Sequence, residues 1–116
     1  MCTILKERLF ELVKKIESRS PYYVEIEEWL DEMVDIMLEN EGNTIGFFTN
    51  TNPSHSRIIY WISPLLQDIA YRFSSDVMAS AMASLIDKYP EDLGLKSDVE
   101  LSLNIIHNVQ NDPSLT

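Results

Sequence analysis

The chain has few of the residues that mark several protein classes. One of its 116 residues is cysteine, Cys2, which has no partner for an internal disulfide and therefore predicts a reducing compartment. Three glycines leave no glycine-rich loop to cradle a phosphate. No stretch approaches the ~20 apolar residues of a membrane span, and charges at Lys6, Glu7 and Arg8 interrupt any signal-peptide run. These absences predict a cytoplasmic protein.

A catalytic constellation is also missing. The two histidines, His55 and His107, stand in no recognisable motif and are expected to be structural or solvated. No Glu-x-x-His repeat of a di-metal helical bundle occurs. Glu28 and Glu32 alone, without histidines or an EF-hand loop, do not predict a metal site. We therefore expect no enzymatic activity, no cofactor and no metal.

The apolar residues predict one all-α domain spanning residues 1–116. Hydrophobic residues make up 45% of the chain and charged residues 24%, which is typical of a globular protein. Within residues 3–18 apolar residues recur every three to four positions, as in an amphipathic helix. A second helix is predicted from Ser20-Pro21 to about Asn40, with Gly42 as its stop. Three further helix-start signals follow, at Ser63-Pro64, Ser75-Asp76 and Ser97-Asp98. Together with the first two helices they predict a bundle of about five helices.

The stretch 43–63 has two interpretations. Its segments NTIGFFTN and SRIIYWIS are rich in β-branched and aromatic residues, a composition that suits a short β-hairpin. However, Asn52-Pro53 and Ser63-Pro64 are helix-start signals, and one hairpin alone makes a marginal sheet. We favour helical turns here, with a short hairpin within 43–63 as the alternative.

Positive charge is missing from the second predicted helix. The chain has a formal net charge of −10, and residues 21–42 contain eight carboxylates with no lysine or arginine. Residues 1–20, by contrast, carry five basic and three acidic residues. An acidic surface repels nucleic acid and anionic membranes, and it speeds association with basic molecules. We therefore predict a basic protein partner, with no direct nucleic-acid binding and no membrane binding.

The carboxylates of this helix are regularly spaced. Five recur in steps of three and four, which places them on one helical face: Glu25, Glu28, Glu32, Asp35 and Glu39. Glu27 and Asp31 form a second row beside them, and we call all seven the acidic face. Such a run is commonly a solvated surface. Opposite charges at i,i+4 would serve solubility better, since like-charge pairs cost about 0.2–0.5 kcal/mol each. A helix that accepts this repulsion is predicted to meet a basic partner.

Two tyrosines precede the acidic face. Tyr22 and Tyr23 combine an apolar ring with a polar tip, as interface anchors often do, although Tyr22 also lines up with the core residues Ile26 and Trp29. Trp29, Trp61 and the methionine pairs Met33/Met37 and Met78/Met82 are expected to pack in the core. The predicted partner-binding residues are Tyr22, Tyr23, Glu25, Glu28, Asp31, Glu32, Asp35 and Glu39.

A small, acidic, helical chain with these features resembles bacterial immunity proteins. Those proteins are antidotes to secreted nuclease toxins such as colicins and the effectors of contact-dependent growth inhibition. The likeness to helical immunity proteins of contact-dependent inhibition systems lies in the segments SPYYVEIEEWLDEM, SHSRIIYWISPLLQDIAYRF and MASLIDKYPED. The resemblance implies binding to the basic active-site cleft of one cognate toxin and exclusion of its RNA or DNA substrate. It concerns overall character and assigns no individual residue.

Two other functions fit the same charges. A nucleic-acid mimic would use the carboxylates in place of phosphates to occupy the DNA site of a repressor or restriction enzyme. A helical adaptor or scaffold would use them only for solubility. Binding to several DNA-binding proteins would favour the mimic, and binding to a single partner would favour the immunity protein. Failure to find any basic partner would favour the scaffold.

Overall fold

The computed structural model describes residues 2–18 and 25–111, with side chains for 4–18 and 26–111. This part of the chain contains seven α-helices: α1 (Cys2–Glu17), α2 (Glu25–Leu38), α3 (Glu41–Asn50), α4 (Ser56–Ile62), α5 (Leu66–Arg72), α6 (Asp76–Lys88) and α7 (Leu93–Asn111). Short 3₁₀ turns at Pro53–His55 and Ser63–Leu65 join α4 and α5 into one continuous helical segment. The predicted all-α class is confirmed, with six helical bodies where about five were expected.

The alternative of a β-hairpin within 43–63 is wrong. Residues 41–50 form α3, residues 53–72 are helical throughout, and the described ranges contain no strand. Side-chain burial explains the outcome. The adjacent Phe47 and Phe48 are both buried, whereas consecutive residues of a strand point to opposite faces. Ile58, Ile59 and Ile62 are also buried, at helical spacing, so the helical form puts the apolar residues of both segments into the core.

The junction between α2 and α3 differs from the predicted stop at Gly42. Asn40 is the N-cap of α3, because its Oδ1 accepts the backbone N–H of Asn43 at 2.9 Å, and Gly42 lies in the first turn of α3. The buried Thr44 donates its hydroxyl to the carbonyl oxygen of Met37 at 2.6 Å. The Asn40 cap and the hydrogen bond from Thr44 to Met37 therefore take the place of the predicted glycine stop. Together they fix the turn between α2 and α3.

The other helix-start signals have mixed outcomes. Ser75 caps α6 as predicted, with its Oγ accepting the N–H of Met78 at 3.1 Å. The predicted start of the last helix at Ser97-Asp98 is wrong, since α7 begins at Leu93 and the Asp92 carboxylate accepts the N–H of Leu95 at 2.9 Å. Ser63-Pro64 lies in a turn between two helices rather than at a free start. Ser20-Pro21 lies outside the described residues.

The core lies between two groups of helices. α1 packs on α2 and α3, α5 and α6 pack on α7, and contacts between α3 and α6 and between α2 and α5 join the groups. Met33 and Met37 of α2 and Met78 and Met82 of α6 are fully buried, in agreement with their predicted place in the core. This packing turns the apolar side of α2 inward and leaves its carboxylates outside. None of the described helices combines the length and the apolar character that crossing a membrane requires.

Candidate functional site

The acidic face of α2 is exposed along the described helix. Apolar contacts hold α2 against the core, where Met33, Ile36 and Met37 are buried and Ile26 and Trp29 are partly buried. Five carboxylate side chains on the opposite side are exposed: Glu27, Glu28, Asp31, Glu32 and Asp35. Because the backbone that carries them is a packed helix, their spacing is fixed before any partner arrives. The side chain of Glu25 and all of Tyr22 and Tyr23 lie outside the described residues.

These five carboxylates have no ion-pair partner in the described ranges 4–18 and 26–111. The ion pairs there are Arg8–Glu39, Lys14–Glu11 and Arg57–Glu17, and each carboxylate among them lies outside the five. Neighbouring carboxylates three and four residues apart on a helix lie about 5–6 Å from one another at Cβ. The result is a dense set of negative charges without an ion-pair partner among the described side chains, with Arg8 as a nearby positive charge for Glu32.

Glu39, which was predicted to bind the partner, is already paired within the protein. The Arg8 guanidinium of α1 donates from Nη1 to Oε1 at 2.7 Å and from Nη2 to Oε2 at 2.9 Å. This two-bond contact lowers the pKa of Glu39 and, together with the nearby charge of Glu32, raises the pKa of Arg8. Both side chains remain about half exposed. The acidic face therefore ends in a neutralised pair, and its unpaired part extends from Glu27 to Asp35.

Arg8 was missed by sequence reasoning, although a signal for it exists. Leu5 and Arg8, in the first half of α1, line the same small cleft as Ile36 and Glu39, at the end of α2. The two helices are thus antiparallel neighbours, as a short connection between helices predicts. When a net basic helix such as α1 is followed closely in the sequence by an acidic helix such as α2, ion pairs between the two helices are expected.

The histidines have structural partners. His55 Nδ1 lies 3.2 Å from the hydroxyl of Thr51 and accepts the N–H of Asn52 at 3.3 Å, while Thr51 also contacts the Tyr89 hydroxyl at 2.9 Å. Burial, together with the charge of Lys6, lowers the pKa of His55. Thr51 is only 3% exposed, so its hydroxyl is not open to a substrate. His107 contacts Asn111 at the end of α7. The hydrogen bonds among Thr51, His55 and Tyr89 therefore connect the loop after α3 to the end of α6.

Metal binding has no support in the described part of the chain, where no group of three or more His, Cys, Asp or Glu side chains is placed to hold an ion. Comparison of the chain with protein-family models, with curated proteins and with solved structures finds no match. No function is therefore transferred by likeness. Between Glu27 and Asp35, the acidic face is an exposed row of carboxylates without an ion-pair partner among the described residues.

Proposed function

We propose that this chain is an immunity protein that binds a cognate basic nuclease toxin domain and blocks its active site through the acidic face. One observation carries the proposal: five exposed carboxylates on α2 have no ion-pair partner within the described residues. A nuclease active site is basic because it must hold the phosphates of its substrate. Carboxylates spaced along a rigid helix meet the same lysines and arginines, and the bound protein then excludes the nucleic acid.

Inhibition in this scheme needs no chemistry from the inhibitor. The charges of α2 attract the toxin over about 8 Å, the Debye length at physiological ionic strength, and so they raise the association rate. The predicted anchors Tyr22 and Tyr23 would then slow dissociation. The protein would act in the cytoplasm, where a nuclease that enters the cell meets its substrate. Association should therefore slow as salt is raised, while dissociation changes less.

The partner to test first is the nuclease domain of a large secreted protein encoded directly upstream of this chain. If the gene has no such neighbour, affinity capture from the producing cell identifies the partner. The decisive variant is the triple change Asp31→Asn, Glu32→Gln and Asp35→Asn, which removes three charges and nearly preserves shape. These residues lie beyond the first turn of α2, so its N-terminal charge interactions stay intact.

A matched control variant has the same net charge as the α2 variant but keeps the acidic face unchanged. Asp87→Asn, Glu91→Gln and Glu100→Gln neutralise three exposed carboxylates on the α6–α7 side of the molecule. We expect the α2 variant to bind the toxin domain at least about 100-fold more weakly, as loss of interfacial charge pairs commonly does, and to lose protection of toxin-expressing cells. The control should bind and protect as the unmodified protein does.

Three results would contradict the proposal in different ways. Equal losses in both variants would mean that net charge, rather than the acidic face, attracts the partner. Normal protection by the α2 variant would make these carboxylates a solvated surface, as in a scaffold. Binding to several unrelated DNA-binding proteins, with the same carboxylates required each time, would identify a nucleic-acid mimic. Salt-dependent association with a single toxin domain, lost only in the α2 variant, is the result we expect.

A further inference from the structure

A second negatively charged surface lies away from α2, between the end of α4 and the start of α7. It is a cleft of about 290 Å³ with Tyr60 and Trp61 on one side and the chain around Asp92, Leu95 and Asp98 on the other. The described residues that line it include two carboxylates and no lysine or arginine. The combination of aromatic rings and carboxylates in one concave surface distinguishes this cleft from the acidic face of α2.

The aromatic side of the cleft is open to a partner. Tyr60 is 65% exposed, and its ring stands edge-on to that of Trp61 with 5.3 Å between the ring centroids. Trp61 is held in place, because its Nε1 donates to the Glu17 carboxylate at 3.0 Å. Leu93, which lies in the sequence between the lining residues Asp92 and Gly94, is 74% exposed. Exposed aromatic and apolar side chains of this kind are typical of interface anchors.

Each carboxylate of the cleft accepts a hydrogen bond from a neighbouring residue through one of its two oxygens. Asp98 accepts the hydroxyl of Ser63 through Oδ2 at 2.6 Å, and Asp92 accepts the N–H of Leu95 through Oδ1 at 2.9 Å. Each therefore has a second oxygen without a described protein donor. The N-terminus of α7 adds a partial positive charge of about one half, which two full negative charges outweigh. A cation entering the cleft would thus meet preorganised acceptors as well as a ring face.

We propose that this cleft receives an arginine side chain of the basic partner. A guanidinium is planar, so it can stack on the Tyr60 ring while its N–H groups pair with the carboxylates of Asp92 and Asp98. A lysine ammonium offers one compact charge and cannot stack in this way. The identity of the partner rests on the proposed function, whereas recognition of arginine by the cleft is a property of the isolated protein.

The test is a titration of the isolated protein with N-acetyl-arginine methylamide. The readout is the indole N–H resonance of Trp61 in proton–nitrogen spectra; the chain has two tryptophans, and a Trp29→Phe variant assigns the signals. We expect a saturable shift with a Kd of about 1–10 mM, as for a small ligand held by one cation–π contact and two charge pairs. The citrulline analogue has nearly the same shape without the charge and should produce no saturable shift. The lysine analogue should bind more weakly than the arginine compound.

Variants locate the binding. Tyr60→Leu should weaken it about fivefold, and Asp92→Asn with Asp98→Asn, which keeps both hydrogen-bond acceptors, should abolish the saturable shift. Tyr71→Leu is the matched control, because Tyr71 is also exposed, at 61%, and does not line the cleft. Equal shifts with the citrulline compound, tighter lysine binding, no saturable shift at all, or equal effects of Tyr60→Leu and Tyr71→Leu would overturn the inference. Since no toxin is needed, this failure is distinct from failure of the α2 variant to lose protection.

Discussion

Neutralising the middle of the acidic face should stabilise the free protein. The change is the triple variant of α2, Asp31→Asn, Glu32→Gln and Asp35→Asn. Each replacement has nearly the same size and helix propensity as the residue that it replaces, so charge is the main difference. The three side chains are exposed and have no ion-pair partner within the described residues, so the favourable interaction that is lost is the attraction between Glu32 and nearby Arg8, which already pairs with Glu39. A solvated and functionless surface gains nothing by keeping this repulsion.

The magnitude follows from the pairs that the structure leaves unscreened. Like charges lie three residues apart at 28/31 and 32/35, and four apart at 27/31, 28/32 and 31/35. The pair 35/39 is left out because Arg8 neutralises Glu39. All five pairs involve a changed residue, and at about 0.2–0.5 kcal/mol each they total roughly 1–2.5 kcal/mol at low salt. Asp35 also lies in the last turn of α2, where a negative charge interacts unfavourably with the helix dipole. Removing this charge should therefore also stabilise the free protein.

The assay is urea unfolding of the free protein, followed by circular dichroism at low and high salt. At low salt the variant should be more stable by roughly 1–2.5 kcal/mol, and its Tm in a thermal scan should be higher by at least about 4 °C. At 1 M salt the Debye length falls to about 3 Å, and most of the difference should disappear. The control variant at Asp87, Glu91 and Glu100 should show little gain, because neither Glu100 on α7 nor Asp87 on α6 has an acidic neighbour three or four residues away on its own helix.

Two outcomes would refute this reasoning. A variant less stable than the unmodified protein would mean that these carboxylates have stabilising partners in the fold. A gain that is the same at low and high salt would mean that charge repulsion is not its cause. Stability gained together with binding lost is instead the pattern of a site that is kept at a cost to the fold.

Three further predictions concern the fold itself. Met33→Ala should lower the free energy of unfolding by about 2–5 kcal/mol in urea denaturation, since Met33 is fully buried; a loss below about 1 kcal/mol would contradict the packing described. Ser75→Ala removes the N-cap of α6 and should cost about 0.5–2 kcal/mol by the same measurement, whereas Ser75→Thr should retain most of the stability. The lowered pKa of His55 means that the unfolded chain binds more protons as pH falls through 6.5, so stability is full above that pH and declines below it. His55→Gln should flatten the pH dependence of the unfolding free energy between about pH 7 and pH 5, and an unchanged slope would contradict the shift.

Local patterns alone were sufficient for much of the fold. The three- to four-residue spacing of apolar residues predicted α1 and α2, and the Ser75 side chain marked the start of α6. The exposure of the described carboxylates of α2 also followed from the sequence, because burying Met33 and Met37 on one side of a helix turns Glu28 and Glu32 to the other. Each of these features depends on residues within a few positions of one another.

Features that depend on distant residues were decided by the tertiary structure. Residues 43–63 have a β-prone composition together with helical start signals, and burial of Phe47 and Phe48 against the other helices settles the competition in favour of helix. The pairing of Arg8 with Glu39 joins residues 31 positions apart, and the bond from Ser63 to Asp98 joins residues 35 apart. The sequence by itself thus determined that α2 would be an acidic, outward-facing helix, because periodicity is local. Only packing decided which of its charges remain unpaired and that an aromatic cleft forms beside α7, since both require helices to meet.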